Sequence, residues 1–186
     1  QCDRLLGFLD LLQRWSRAYN LTAIREPAAM VSHHLLDSLA VAPYLWGESI
    51  LDLGTGAGLP GLPLAVVQPS RRFWLLDSNG KKVRFVRQAV LDLRLPNVEP
   101  VQSRIESYRP QRKFSTIVTR AVACIADLRA QTVPLLESPG RLLVMKGRYP
   151  GDELSHPALA GSDLTVRSLR VPFLDGERHL IEIRRD

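Results

Sequence analysis

The chain has 186 residues, of which 45% are hydrophobic, 24% charged and only 6% aromatic. Those proportions exclude a disordered, collagen-like or disulfide-scaffold protein, and a chain of this length buries roughly 70% of the surface its unfolded form exposes, so no metal or disulfide is needed to hold a core. The formal charge of +6 points to a polyanionic partner without naming one.

Over residues 1–47, Leu5, Phe8, Leu9, Leu12 and Trp15 recur at three- and four-residue spacing, which predicts one face of an amphipathic helix. A second helix is expected from Pro27, a favoured first-turn residue, through Met30, His34, Leu35, Leu39 and Ala42, with Pro43 stopping it. Residues 1–47 therefore read as a helical amino-terminal extension, in which His34 and Asp37 are candidates for orienting a substrate.

From Ser49 the pattern changes to short apolar runs at 49–53, 72–77, 98–103, 114–119, 141–146, 163–171 and 179–184. Helix-permissive stretches lie between them, at about 60–68, 80–94, 104–110, 124–137 and 151–160. Such alternation predicts right-handed βαβ crossovers, hence an α/β, doubly wound and mainly parallel seven-stranded sheet over residues 48–186. The last two runs are joined by Pro172 to Arg178, too short for a crossover helix, so an antiparallel hairpin should finish the sheet.

The sharpest motif follows the first run: Asp52, then Gly54, Thr55, Gly56 and Gly58, then Pro60 where a helix would begin. Alternating glycines let the backbone turn tightly and approach a ligand, and the helix start offers unpaired N–H groups to an anion. Gly56, Gly58 and Gly61 also satisfy the dinucleotide spacing, and Asp77, at the end of the second run, could accept from ribose hydroxyls in either case. Asp52 tips the balance. A carboxylate beside the loop repels a pyrophosphate but suits the amino group and sulfonium of S-adenosylmethionine. A dinucleotide-dependent oxidoreductase using NAD(P) remains the alternative.

The fourth run ends at Thr119 to Ala123 and lacks the Asn-Pro-Pro-aromatic string with which exocyclic-amine methyltransferases hold their target. Arg120 stands at that strand exit, where its planar fork could stack on a base or pair with a carboxylate. Cys124 reads as a small residue at a helix start rather than a nucleophile. Cys2 and Cys124 fit neither a disulfide framework nor a zinc motif, and no metal is expected. No apolar run approaches the roughly 20 residues that cross a bilayer and no charged-then-apolar leader opens the sequence, so a cytoplasmic protein without membrane contact is expected.

Residues 71–120 hold twelve basic and four acidic side chains. Lys81, Lys82, Arg84 and Arg87 fall on the helix after the second run and, with Arg104, Lys146 and Arg178, should flank the cleft mouth and neutralise the phosphates of a polyanionic partner. Phe73, Trp74 and Phe85 read as core rather than as a stacking platform.

Together, Asn20 to Ile24, His34 to Ser38, Leu51 to Gly61, Leu76 to Ser78, Lys81 to Phe85, Ser103 to Glu106, Thr119 to Ala121 and Gly176 to His179 make a pattern that resembles the bacterial small-subunit ribosomal RNA guanine-N7 methyltransferase G family over nearly the whole chain. The resemblance implies methylation of one 16S ribosomal RNA guanine at N7, with S-adenosylmethionine as donor and S-adenosylhomocysteine as product. It implies a cofactor pocket of Gly54, Leu59, Ile105, Glu106 and Arg120, to which Asp52, Thr55, Gly56, Asp77 and Ser103 are added from the loop and strand ends. Asn20 joins Arg120 and His34 as a candidate catalytic residue on the resemblance alone. Guanine N7 carries a free lone pair, so in-line attack needs alignment and charge stabilisation but no general base. The small ribosomal subunit or its RNA is the expected partner of a monomeric enzyme.

Overall fold

The structure, a computed structural model, describes residues 1–120 and 123–186. Ala121, the last residue of one motif quoted above, therefore lies outside the described residues.

Helix α1 (Cys2–Tyr19) buries Phe8, Leu9, Leu11 and Leu12 and turns off at Asn20, whose left-handed backbone (φ 50°) lets its N–H reach the Ser16 carbonyl. The second helix starts at Pro27, as its sequence predicts, with the Glu26 carboxylate accepting from the Ala28 and Ala29 N–H groups. It runs as α2 (Pro27–Met30), a π-helical stretch Val31–Leu36 and α3 (Asp37–Leu39). It thus ends before Pro43, which sits inside a separate 3-10 turn, Ala42–Tyr44. Spacing alone does not reveal the wide turn, which rotates the residues after it relative to a regular helix.

The strands are β1 (Ser49–Leu53), β2 (Arg72–Asp77), β3 (Val98–Gln102), β4 (Phe114–Thr119), β5 (Leu136–Lys146), β6 (Leu164–Ser168) and β7 (His179–Arg185), in the order β3-β2-β1-β4-β5-β7-β6. The first five are parallel; β7 is antiparallel to both β5 and β6, so the expected terminal hairpin inserts its second strand into the sheet. Crossover helices α4 (Gly61–Val67), α5 (Gly80–Asp92) and α6 (Ile125–Thr132) fall where apolar spacing predicts them. Prolines shorten the rest. Pro134 moves the chain from α6 into a 3-10 turn, and Pro157 separates α7 (Gly151–Leu154) from another. The stretch expected to be helical at 104–110 is only the 3-10 turn Ile105–Ser107.

Alternate residues of the central strands face opposite cores. Ile50, Phe73, Leu75, Val118 and Leu143 meet α1, α4 and α5, where Phe8, Leu12, Leu64, Phe85 and Val86 are buried. Leu51, Trp74, Leu76, Ile117 and Val144 meet Ile125 and Leu128 of α6 on the other side. The extension therefore shares one core with the sheet. All five parallel strands end on the same rim, with Leu53 beside Leu76 and Thr119, and ligands of open α/β sheets bind along that rim.

Candidate active site

The glycine loop leaves β1 with Gly54, Gly56 and Gly58 at φ of 70°, 58° and 79°. A Cβ at Gly58 would come within 2.3 Å of Leu62 Cδ1, and one at Gly61 within 2.6 Å of Asp52 Oδ2, so close packing of loop on helix admits only glycine there. A Cβ at Gly54 would meet nothing within 4 Å; that glycine opens onto a cavity instead.

Asp52 does not face that cavity. It is fully buried, and its Oδ2 accepts from the Thr55 hydroxyl at 2.6 Å and from the Gly61 N–H at 2.7 Å. The expectation of a carboxylate aimed at a cationic ligand thus gives way to a clasp joining the strand end to the helix start. Burial raises its pKa to about 6, and the two hydrogen bonds work against the rise. Thr55 and Leu59 are likewise buried, 1% and 4% exposed, and shape the loop from within.

Asp77 sits at the tip of β2. Its Oδ2 accepts from the Gly56 N–H at 2.9 Å and its Oδ1 from the Asn79 N–H at 2.8 Å, so loop and neighbouring strand are tied by one carboxylate. Beside it lies a cavity of about 260 Å³ lined by Leu53, Gly54 and Leu76 on one side and by Ser103, Ile105 and Glu106 on the other, with Arg104 at its edge. A slot of mixed polarity, flanked by two carboxylates and backed by a bare glycine, fits the adenine, ribose hydroxyls and cationic donor group of S-adenosylmethionine.

A second cavity, of about 300 Å³, opens where β4 and β5 exit beneath the amino-terminal extension. Asp37, nearly buried, accepts at Oδ2 from Arg120 Nη1 (3.2 Å) and at Oδ1 from Arg178 Nε (2.8 Å). Arg120 also donates to the His33 carbonyl at 3.3 Å. His34 bonds through Nε2 to the Thr22 hydroxyl at 2.8 Å, while its buried Nδ1 has no partner among the described residues. Burial first, and the Arg120 charge second, push its pKa down to about 4, so the imidazole is neutral near pH 7. Ile24 and Met145 supply apolar walls.

Not every candidate residue reaches a cavity. Asn20 is exposed at the end of α1 and lines neither; the segment it opens delivers Thr22 and Ile24 instead. Lys146 and Arg178, expected at RNA phosphates, are held by acids: Lys146 Nζ donates to Glu153 at 2.8 and 3.0 Å, and Arg178 to Asp37. Lys81 and Arg84 are exposed on α5, Lys82 half-buried. Cys124 caps α6, half-buried. Sequence spacing gives no signal for the pairing of Asp37 with Arg178, 141 residues away. Among the described residues no cluster of His, Cys, Asp or Glu could hold a metal.

The family described as GidB, rRNA small subunit methyltransferase G, matches residues 1–181. The chain is 52% identical over 184 residues to the ribosomal RNA small subunit methyltransferase G of Methylococcus capsulatus, covering 99% of this chain and 89% of that protein. It is 45% identical to the protein of the same name from Psychromonas ingrahamii, over 100% of this chain and 89% of that one. Among solved structures, a SAM-dependent methyltransferase from Aquifex aeolicus superimposes with a TM-score of 0.62 at 18% identity, covering 84% of this chain and 92% of the other. An rRNA methylase from Streptococcus thermophilus gives a TM-score of 0.58 at 16% identity, over 81% and 94%. The two structural likenesses establish the fold.

Proposed function

The chain belongs to the rRNA small subunit methyltransferase G family, and from that premise we propose that it transfers a methyl group from S-adenosylmethionine to N7 of one guanine in 16S ribosomal RNA. The observation that carries the reading is the pair of cavities at adjacent strand exits, one beside Gly54 after β1 and the other beside Arg120 after β4.

S-adenosylmethionine, when bound, supplies an electrophilic methyl group on a sulfonium. Asp77 would accept from its ribose hydroxyls, Gly54 would leave room for it against the backbone, and Leu53, Leu76 and Ile105 would cover its adenine, with Ser103 and Glu106 closing the slot. Across the rim, Asp37 offers acceptors to N1–H and the N2 amino group of guanine, a donor pair that adenine does not present. Arg120 and Arg178 hold the Asp37 carboxylate in place. His34, neutral, neither protonates N7 nor adds charge to the pocket, so the N7 lone pair stays free to attack. Alignment does the chemistry and no side chain need take a proton. Arg120, expected in the cofactor pocket, lines the Asp37 cavity instead, and it follows Thr119, which pairs with Leu53 at the start of the glycine loop; from there it would hold the guanine in line with the donor.

The protein acts in this reading as a monomer in the cytoplasm, on RNA or on the small subunit; no helix among the described residues is long and apolar enough to cross a membrane. The test is tritium transfer from labelled S-adenosylmethionine to small-subunit RNA, followed by nucleotide mapping of the product. Label at a single guanine N7 is the expected result. Label on another atom or base, or tight NAD binding without S-adenosylhomocysteine binding in calorimetry, overturns the reading.

A further inference from the structure

Beside the Asp37 cavity lies a second hollow of about 550 Å³, walled by Gly147, Arg148 and Tyr149 on one side and by Gly176, Glu177 and Arg178 on the other. Gly147 and Arg178 line both, so the two adjoin. Tyr149 is 58% exposed and belongs to neither hydrophobic core. Its ring stands edge-on to His179, centroids 5.5 Å apart at 76°, and His179 lines the Asp37 cavity. Arg148 is exposed next to it, and Arg178 is steadied by its bonds to Asp37 and to the Glu177 carbonyl. The loop joining β6 to β7, which provides the far wall, also holds Phe173 at φ 59° and 93% exposed. A bulky aromatic in the left-handed region and in water is costly for folding.

We propose that this hollow seats the nucleotide adjacent to the target guanine, its unpaired base stacked on Tyr149 and its phosphate drawn to the exposed Arg148. The proposal rests on the reading that the Asp37 cavity receives the guanine. Its occupant is single-stranded RNA because a solvent-facing ring beside an exposed guanidinium, adjoining a base-sized cavity, is the combination that recognises unstacked nucleotides. A protein partner would instead call for a contiguous apolar patch with few charges at its centre.

The experiment compares Tyr149→Ala, Tyr149→Leu, Tyr149→Phe and Tyr149→Trp in methyl transfer to small-subunit RNA lacking the modification, offered both protein-free and as assembled subunits. Tyr149→Phe and Tyr149→Trp should stay within about twofold of the unaltered enzyme. Tyr149→Ala and Tyr149→Leu should raise KM for both substrates by about tenfold, the usual loss for one stacked base, with S-adenosylhomocysteine affinity and melting temperature unchanged. Recovery by leucine, or an effect confined to assembled subunits, overturns the stacking assignment in favour of an apolar or protein contact. An unchanged KM in Tyr149→Ala overturns it outright. Failure of the unaltered enzyme to methylate either substrate overturns the underlying reading as well.

Discussion

Two buried ionisable residues, His34 and Asp52, titrate in opposite directions and give the protein its acid response. His34 has a folded pKa near 4 against 6.5 when free, so the unfolded chain binds more protons between those values and stability rises with pH across that window. Asp52 has a folded pKa near 6 against 3.8; there the native state binds more protons, and stability falls as pH rises from about 4 to 6. The two slopes oppose each other between pH 4 and 6. His34→Gln removes one of them. The stability difference between parent and variant should therefore shift against the parent by about 2 kcal/mol from pH 7 to pH 5, measured as denaturation midpoints; a constant difference would show that His34 is not held neutral. Arg120 gives a second expectation. Asp37 keeps Arg178 when Arg120 is lost, so Arg120→Ala should lower methyl transfer at least a hundredfold while costing only about 1 kcal/mol of stability, read from kcat and from thermal melting. The place of Arg120 at the mouth of a cavity was legible because it follows a strand exit. The clasp made by Asp52 was not, since the residue pattern is the same whether the carboxylate turns toward a ligand or into its own loop.

At the scale of elements, the strands were legible nearly to the residue because a parallel sheet buried on both faces demands unbroken apolar runs, as in SILDL and RFWLLD. The terminal hairpin followed from the shortness of its connection. What escaped was set by prolines and by packing: the stretch at 104–110 is too polar to bury a helix face, Pro134 cuts the helix before it, and β5 begins five residues early at Leu136, where its partner is Phe114 across a register shift. The extension at 1–47 reads as a separate unit in its hydrophobic pattern, yet α1 closes one of the two cores. Leu12, fully buried beside residues of α4 and α5, should cost about 3 kcal/mol when changed to Ala, whereas Leu6→Ala, at a position 55% exposed, should cost almost nothing. Chemical denaturation followed by tryptophan fluorescence distinguishes them. Equal and small losses would mean that α1 is an appendage.

Across the whole molecule, two groups within the surplus of positive charge have different tasks. Arg120, Arg141, Lys146, Arg167, Arg178 and Arg184 are each ion-paired, to Asp37, Glu153 or the buried Glu182. Burial opposes the charge on Glu182, but hydrogen bonds from Arg184 and Arg167 outweigh it and hold its pKa below the ordinary value. These bases support the site and the sheet edge more than they project a field. Lys81, Lys82, Arg84 and Arg87 on α5 make no ion pair among the described residues, and α5 follows Asp77 on the same rim as the cavity beside Gly54. Composition showed the surplus but not this division, because the acids that claim the first group lie far away in sequence. The division predicts how RNA affinity responds to salt. Each phosphate contact adds about 0.7 to 0.9 to the slope of log affinity against log salt. Replacing Lys81 and Arg84 together with Gln should therefore flatten that slope by up to about 1.5 and leave S-adenosylhomocysteine affinity untouched. Replacing Arg141 and Arg167 should leave the slope as it is and lower the melting temperature instead, since Glu182 would lose two of its partners. Filter binding of small-subunit RNA between low and moderate salt reads the first effect and calorimetry the second; a slope that changes equally in both double variants would show that the field belongs to the molecule as a whole and not to the face formed by α5.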